Sequence, residues 1–365
     1  MPHEPFALKE RMLSDRSQLV ADVVDESRTI APAPVRTSII RERLGLHGLD
    51  YPIAPIANRL AYMLGGLTFF GILLLIATGI LLDQYYNPNP VAAHDSIVYI
   101  MTRVPLGNWL RGLHYWGATI VLVSVFLHMS YVFWRRSYVK PREVTWWAGV
   151  GLFAVIFALA FTGTVLRADQ EGGEALEHAI AGAKMTGPLG APLSPEFAQS
   201  TTLLSRLHSA HVSLLPLLML ALVGLHFWLI RMQGINTTQP KTSKFSDHLP
   251  KLSGYALLLL ALAGTLAAFF PPGIGHPSVE GVEVTKPFWP FLWIYVVENT
   301  MGMWGMIIAP LVIFGFLFLV PLIDRPREGH PHSRPVLTVA IIMLVLYVGG
   351  IIYGVFAPHQ QHLGM

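Results

Sequence analysis

Apolar positions along this chain come in long unbroken blocks rather than in the alternating rhythms of a water-facing fold. Stretches free of Asp, Glu, Lys and Arg cover residues 60–82, 112–134, 146–166, 207–230, 252–275, 299–323 and 335–358. Each is about 20 residues or longer, and a helix of that length crosses a hydrocarbon core of ~30 Å. The pattern predicts an all-α integral membrane protein with seven transmembrane helices. The alternative, buried helices of a soluble protein, would need seven such stretches with no polar face. Residues 1–36 differ: they are charged and proline-punctuated, without the apolar core of a signal peptide, and read as a tail outside the bilayer. Residues 37–46 (TSIIRERLGL) suit a short amphipathic helix on the membrane surface, with a plain linker as the alternative.

Composition agrees, with 53% hydrophobic and 13% charged residues, against about 25% charged in soluble proteins. Loops 135–145, 231–251 and 324–334 hold four, four and three Lys or Arg, eleven in all. The opposite set, 83–111, 167–205 and 276–298, holds two, two and one, five in all. This bias places the N-terminus and the basic loops in the cytoplasm. The loop between the third and fourth helices, with Asp169, Glu171, Glu174, Glu177 and Glu196, is then outside. The net charge of +3 reflects this topology and gives no reason to invoke nucleic acid. With no cysteine, disulfides, thiolate-ligated iron–sulfur clusters and thioether-linked haem are excluded. Any iron–sulfur chemistry must come from a partner.

Histidine inside a membrane span is costly and marks function by default. Only two spans have it: the second carries His114 and His128, the fourth His208, His211 and His226. A 14-residue step comes within ~40° of a whole number of turns and advances ~21 Å; the 15-residue step from His211 to His226 gives ~60° and ~22.5 Å. Each helix thus presents two imidazoles on roughly one face at matching depths. Two such helices facing each other make two stacked bis-histidine sites, the axial geometry haem iron takes. His208 would lie ~27 Å from His226, so it falls outside the match and belongs at the outer end of the fourth helix. Interhelical hydrogen bonds, or a proton path in a transporter, are the competing explanations.

Gly65 and Gly79 on the first helix, and Gly149 and Gly163 on the third, repeat the 14-residue step. A flat macrocycle wedged into a bundle needs close backbone there, and glycine leaves the room. Arg111 and Arg206, shortly before His114 and His211, are cations on offer to haem propionates, with interfacial snorkelling as the alternative.

Residues 59–356 resemble the cytochrome b family. The run Arg206, His211, Pro216, His226, Ile230-Arg231 and Gln233-Gly234-Ile235 is similar to the fourth helix of the chloroplast-type cytochrome, which likewise has fourteen residues between its two histidines. Lys140-Pro141-Arg142-Glu143, and Arg111 before His114, match that type too. There a separate three-helix subunit completes the protein. Residues 252–356, with Arg334-Pro335-Val336 before the last helix, look like that subunit fused on. The expected division is a cytoplasmic-side tail over 1–58, a four-helix di-haem domain over 59–235 and a three-helix quinol-site domain over 236–365.

The resemblance implies the cytochrome b subunit of a quinol–cytochrome c reductase in a bacterial cytoplasmic membrane, respiratory or photosynthetic. It implies two non-covalent b-type haems, the outer on His114 and His211, the inner on His128 and His226. Quinol would be oxidised at an outer pocket. One electron would go to a Rieske iron–sulfur protein and on to a c-type cytochrome or other high-potential acceptor. The other would cross both haems to an inner quinone site, with protons released outside and taken up inside. The family also implies a homodimer.

Three departures from the family pattern matter. The cysteine that holds a third haem in the chloroplast type is missing, so no covalent haem is expected. The LPWDQ motif reads Leu166-Arg167-Ala168-Asp169-Gln170, and the PEWY motif reads Pro287-Phe288-Trp289-Pro290, without its carboxylate or tyrosine. Quinol oxidation needs a proton acceptor near the ring, and Phe288 cannot be one. Glu298, the only acid between Pro287 and Ile323, is the first candidate. Asp169 and Glu171 compete with it, and helix capping is the inert alternative. Pro287 and Trp289 complete the outer set. At the inner site Arg231, and by position Asp247 and Lys251, are expected to line the quinone pocket, unless they serve positive-inside topology alone. Two other classes stand beside this reading: a haem-bearing membrane anchor relaying electrons between a soluble dehydrogenase and quinone, and a haem-free transporter.

Overall fold

The computed structural model describes residues 42–324 and 332–363, and within them each of the seven apolar blocks forms a helix long enough to cross a membrane. In chain order the helices are α1 (Leu60–Asp83), a short α2 (Ala93–Thr102), α3 (Gly107–Trp134), α4 (Glu143–Val165), α5 (Gln170–Thr186), α6 (Leu203–Gln233), α7 (Phe245–Phe269), α8 (Leu292–Met301), α9 (Met303–Ile323) and α10 (Arg334–Phe356). Helices α2, α5 and α8 are the ones that do not qualify as spans. A two-residue antiparallel pair, β1 (Pro52–Ile53) with β2 (Ser243–Lys244), is the only sheet among the described residues. The chain is an all-α, multi-pass membrane protein. Residues 1–41 lie outside the described residues, and with them the tail and most of the surface helix anticipated over 37–46. The described part of the preceding unit, which ends at Tyr51, has a 3-10 turn at Leu46–Leu49.

Three boundaries differ from the sequence pattern. The fourth span runs from Leu203 to Gln233 and is interrupted by a π-turn over Ala210–Leu214. Pro216, which has no N–H, follows that turn; proline and π-turns are the usual causes of a broken helical ladder. The fifth helix begins at Phe245 rather than 252, with Pro250 inside its first two turns. The sixth block is two helices. Gly302 at φ +65 ends α8, a conformation that costs glycine least, and α9 starts on its far side. Glu298 therefore sits on a short helix of its own, off the end of the span.

Packing follows from which polar groups lie inside the apolar mass. Helix α1 lies along α3, α7 against both, α4 against α6, and α8 between α9 and α10. Indole donors pin neighbours together: Trp146 and Trp147 of α4 donate to the carbonyls of Leu317 and Phe318 on α9, at 2.6 and 2.9 Å. Trp109 and Trp116 of α3 donate to Gly264 and Phe270 at 3.0 and 2.8 Å. Each such bond between membrane helices contributes about 0.6 kcal/mol. The outward faces stay apolar, with Leu257, Leu311, Leu346 and Phe356 all mostly exposed, as a lipid-facing surface requires. At the end away from α5, Tyr138 is fully buried and donates to Asp324 Oδ2 at 2.6 Å, while Arg136 reaches the same oxygen at 3.2 Å.

A histidine quartet and a carboxylate cluster

The four spaced histidines come together in two levels. At the α5 end the rings of His114 and His211 face each other with centroids 6.4 Å apart. Imidazoles bonded at ~2.0 Å on either side of one metal ion have centroids roughly 6 Å apart. At the other level His128 on α3 and His226 on α6 lie close enough to interact electrostatically. The unequal steps of 14 and 15 residues are reconciled by the π-turn, which contains His211. A π-turn takes up one extra residue, so α6 with 15 steps keeps register with α3 with 14.

The four predicted glycines each face one histidine. A Cβ at Gly65 would stand 2.9 Å from His128 Cε1, and one at Gly163 3.1 Å from His211 Cε1. At Gly79 and Gly149 it would meet His114 and His226 Cε1 at 3.4 and 3.5 Å. The glycine period thus records the imidazoles' own clearance, one glycine per ring.

Hydrogen bonds then set the tautomers. Thr78 donates its hydroxyl hydrogen to the Leu74 carbonyl at 2.8 Å, so its oxygen accepts from His114 Nδ1–H at 2.9 Å. Thr162 repeats this with the Ala158 carbonyl at 2.8 Å and His211 Nδ1 at 2.9 Å. His226 Nδ1 donates to the Thr145 carbonyl at 3.0 Å. In all three the Nδ1 proton is fixed and Nε2 is left as a bare donor, the arrangement found in metal-bound histidines. His128 Nδ1 is buried without a hydrogen-bond partner. This donor set fits a haem at each level, which His114 with His211 and His128 with His226 would hold. The two threonines are absent from the sequence-based set. Their signal was there: each immediately precedes one of the period glycines, as Thr78-Gly79 and Thr162-Gly163.

The remaining candidates fall in distinct places. Arg111 donates to the carbonyls of Pro272 and Gly273 at 2.6 and 3.0 Å, and Arg206 to those of Pro192 and Ser194 at 2.8 and 2.6 Å. Both guanidinium groups tie loops to the α5 end of the bundle. His208 pairs with Asp83 at 2.7 Å rather than with a ring of the quartet, although it lies close enough to His211 to interact electrostatically. Arg231 lies in the last turn of α6, and Asp247 and Lys251 occupy the first turns of α7. Between them sequence reasoning missed His248, buried and bonded through Nδ1 to Asn58 Oδ1 at 3.2 Å.

At the α5 end the Pro287–Pro290 motif packs inward. The Phe288 ring meets Tyr115 at 5.6 Å, and Phe291 meets Phe157 at 5.8 Å. The indole nitrogen of Trp289 is buried with no partner. Asp169 is fully buried, caps α5 by accepting Gly172 N–H at 3.1 Å, takes Gly275 N–H at 3.0 Å and pairs with Arg167. Both of its oxygens are thereby engaged. Glu171 pairs with Arg167 through Oε2 at 2.6 Å, while Oε1 is buried and unpartnered. Burial pushes its carboxyl above the ordinary range, against the pull of Arg167. Arg111, Tyr115, Arg167 and Glu171 line a cleft of about 610 Å³. Glu174, also buried, fastens α5 to the segment before Pro287 by accepting Val284 N–H at 2.8 Å and the Thr285 hydroxyl at 2.6 Å.

Glu298 is buried on α8. His178 Nε2 lies 3.6 Å from its Oε1, and its carboxyl is raised by burial, opposed by His178 and His362 and reinforced by Glu283. His178 and His362 were not in the sequence-based set, because neither lies in an apolar block.

A family model described as Cytochrome b/b6/petB matches residues 49–234. The menaquinol:cytochrome c reductase cytochrome b subunit of Geobacillus thermodenitrificans is 38% identical over 48% of this chain and 80% of the relative. The cytochrome bc complex cytochrome b subunit of Chlorobaculum thiosulfatiphilum is 31% identical over 82% of this chain and 74% of its own length. Among solved structures, a chain of a hyperthermophilic respiratory Complex III superposes with a TM-score of 0.71 at 26% identity, covering 94% of this chain and 93% of that one. The fold and the histidine site thus define a multi-pass membrane protein of the haem-binding kind. The chain belongs to the cytochrome b/b6 family.

Proposed function

We propose that this chain is the cytochrome b subunit of a quinol–cytochrome c reductase, working beside a Rieske iron–sulfur protein and a c-type cytochrome or equivalent acceptor in a bacterial cytoplasmic membrane. The observation that carries this is the quartet: His114 and His211 facing each other at one level, His128 and His226 close together at the other, three of the four with Nδ1 fixed and each opposite a glycine. His114 and His211 would hold one b-type haem, His128 and His226 the other, and bound haem would supply one-electron transfer across the bilayer. The names of the relatives, which include menaquinol:cytochrome c reductase and cytochrome bc complex subunits, support the reaction.

The chain's own residues divide the remaining work. The α5 end is the outer, quinol-oxidising end, where residues 236–365 supply the Pro287–Pro290 wall around residues 59–235. Trp289 offers its unpartnered indole N–H to a quinol oxygen. Glu298 accepts the quinol proton in place of the motif carboxylate that Phe288 has replaced; Glu171 is the second choice. At the opposite end Arg231, Asp247 and Lys251 bound the inner quinone pocket. The test is turnover of the complex purified from its native membrane. Quinol-dependent cytochrome c reduction with two extractable haems per chain is expected. A complex with both haems but no quinol oxidation would favour an electron-relaying membrane anchor and overturn the proposal.

A further inference from the structure

Glu298 stands in a group drawn from separate segments. His178 comes from α5, Glu283 from the stretch before Pro287 and His362 from the chain beyond α10. The ligand-capable atoms of His178, Glu298 and His362 lie within 4.8 Å of one another. We propose that His178 is the proton carrier that empties Glu298 toward water, with Glu283 as its fixed counter-charge and His362 as the group that positions Glu283. This rests on Glu298 being the quinol's proton acceptor.

The roles follow from the hydrogen bonds. His178 donates Nδ1–H to the Glu174 carbonyl at 2.7 Å, so Nε2 is the atom that gains and loses a proton. That nitrogen lies 3.6 Å from Glu298 Oε1 and 3.4 Å from Glu283 Oε1, within about half an ångström of hydrogen-bond length. Glu298 Oε1 has no hydrogen-bond partner, and its side chain is 5% exposed. A buried carboxylate oxygen aimed at a bare imidazole nitrogen is a transfer pair waiting for its proton. His178, at 16% exposed, is the member that reaches water.

Glu283 is held differently. Burial works against its charge, but the N–H of His362 at 2.7 Å, the His362 ring at 3.0 Å and the N–H of Leu363 at 3.3 Å keep its carboxyl below the ordinary range. It stays an anion where a His178 imidazolium needs one. Glu177 and Glu280 carry further negative charge nearby. Lys286 is turned to the Val355 carbonyl, and the Tyr295 hydroxyl donates to the Pro358 carbonyl. The cycle balances: a quinol O–H bond breaks and Glu298 is protonated, then Glu298 is deprotonated as His178 Nε2 gains the proton. His178 passes it to water and both groups return to their starting state, with no electron on this branch.

The experiment compares His178→Ala, Glu298→Gln and the parent complex, each with both haems present. The proposal expects His178→Ala to slow quinol oxidation at least about tenfold, to alter the pH profile, and to recover rate when free imidazole is added. Glu298→Gln should be slow and insensitive to imidazole. Parent-like turnover in His178→Ala, or a loss that imidazole cannot restore, overturns the carrier role. If His178→Ala does not assemble, His178→Gln is read by the same turnover and pH profile. Parent-like turnover in Glu298→Gln overturns the acceptor reading itself, so the two failures are told apart.

Discussion

The protein arranges histidine in two ways, and the contrast between the quartet and the Glu298 cluster lies in what surrounds each ring. In the quartet, three rings have one nitrogen committed to a hydroxyl or carbonyl that accepts only one tautomer, and each ring has a glycine opposite. No acidic side chain is hydrogen-bonded to these three rings, so their Nδ1 protons stay put and Nε2 is left free to serve as a ligand. Around Glu298 the distances are looser, 3.4 and 3.6 Å, carboxylates face the imidazoles, and atoms are left without partners. His178 has its Nδ1 committed to a backbone carbonyl just as His226 does; what differs is that the His178 Nε2 faces two carboxylates, which can exchange a proton with it.

The hardest blow to the locked side is bulk. Gly65→Leu or Gly163→Leu drives a side chain into His128 or His211. Overpacking of this kind costs about 1–3 kcal/mol, and the expected result is loss of the haem at that level with the other retained, read from reduced difference spectra. A variant carrying both haems would show that these glycines clear nothing.

On the loose side, Glu298→Gln should cut quinol oxidation at least tenfold, ~1.4 kcal/mol of transition-state stabilisation, while reduction of the haems through the inner site is spared. The sign of the pH effect follows from burial, which raises the Glu298 carboxyl. The acceptor must be ionised, so parent turnover should fall as pH drops through a value above the ordinary carboxylate range. In Glu298→Gln that acid limb should flatten; its persistence would assign it to another group, Glu171 first.

A subtler change loosens the lock without breaking it. Thr78→Val or Thr162→Val removes the acceptor for one Nδ1–H, making the imidazole a weaker electron donor to ferric iron. One hydrogen bond is worth about 1 kcal/mol, so the midpoint potential of the outer haem should rise by roughly 20–60 mV. An unmoved potential would reduce these threonines to packing.

The smallest expected effect lies away from both regions. Asp324 accepts from Tyr138, Ser333 and Arg136. Burial opposes its charge, but those donors hold its carboxyl below the ordinary range. Its folded-state pKa is depressed, so its contribution is present at neutral pH and lost as pH falls through that lowered value. Asp324→Asn should lower thermal stability modestly at pH 7, by about 1 kcal/mol, and hardly at all in strong acid, followed by loss of the Soret band on heating.

Legibility in the sequence divides along the same line. The spans and the quartet could be read because both are periodic. A block of apolar residues is a local property, and the 14-residue steps of His114 to His128 and Gly149 to Gly163 are visible along one helix at a time. The π-turn at His211 was not, since it depends on how Pro216 and the facing helix settle the ladder. Thr78 and Thr162 were hidden by their chemistry, for a membrane threonine usually bonds only to its own helix. His178, Glu283 and His362 were out of reach for a different reason. They are scattered over residues 178–362, follow no period, and meet only because Glu174 fastens α5 onto the segment before Pro287. The break at Gly302 was likewise invisible inside a continuous apolar run, yet it is what turns Glu298 off the span and into the cluster.

The pairing of the quartet is tested by haem content from pyridine haemochrome, together with low-temperature spectra, in His128→Leu and His226→Leu. Each variant should keep about one extractable haem per chain, and the survivor should be the same outer haem in both. Loss of different haems in the two variants, or loss of both haems from either one in a protein that still folds, would contradict it.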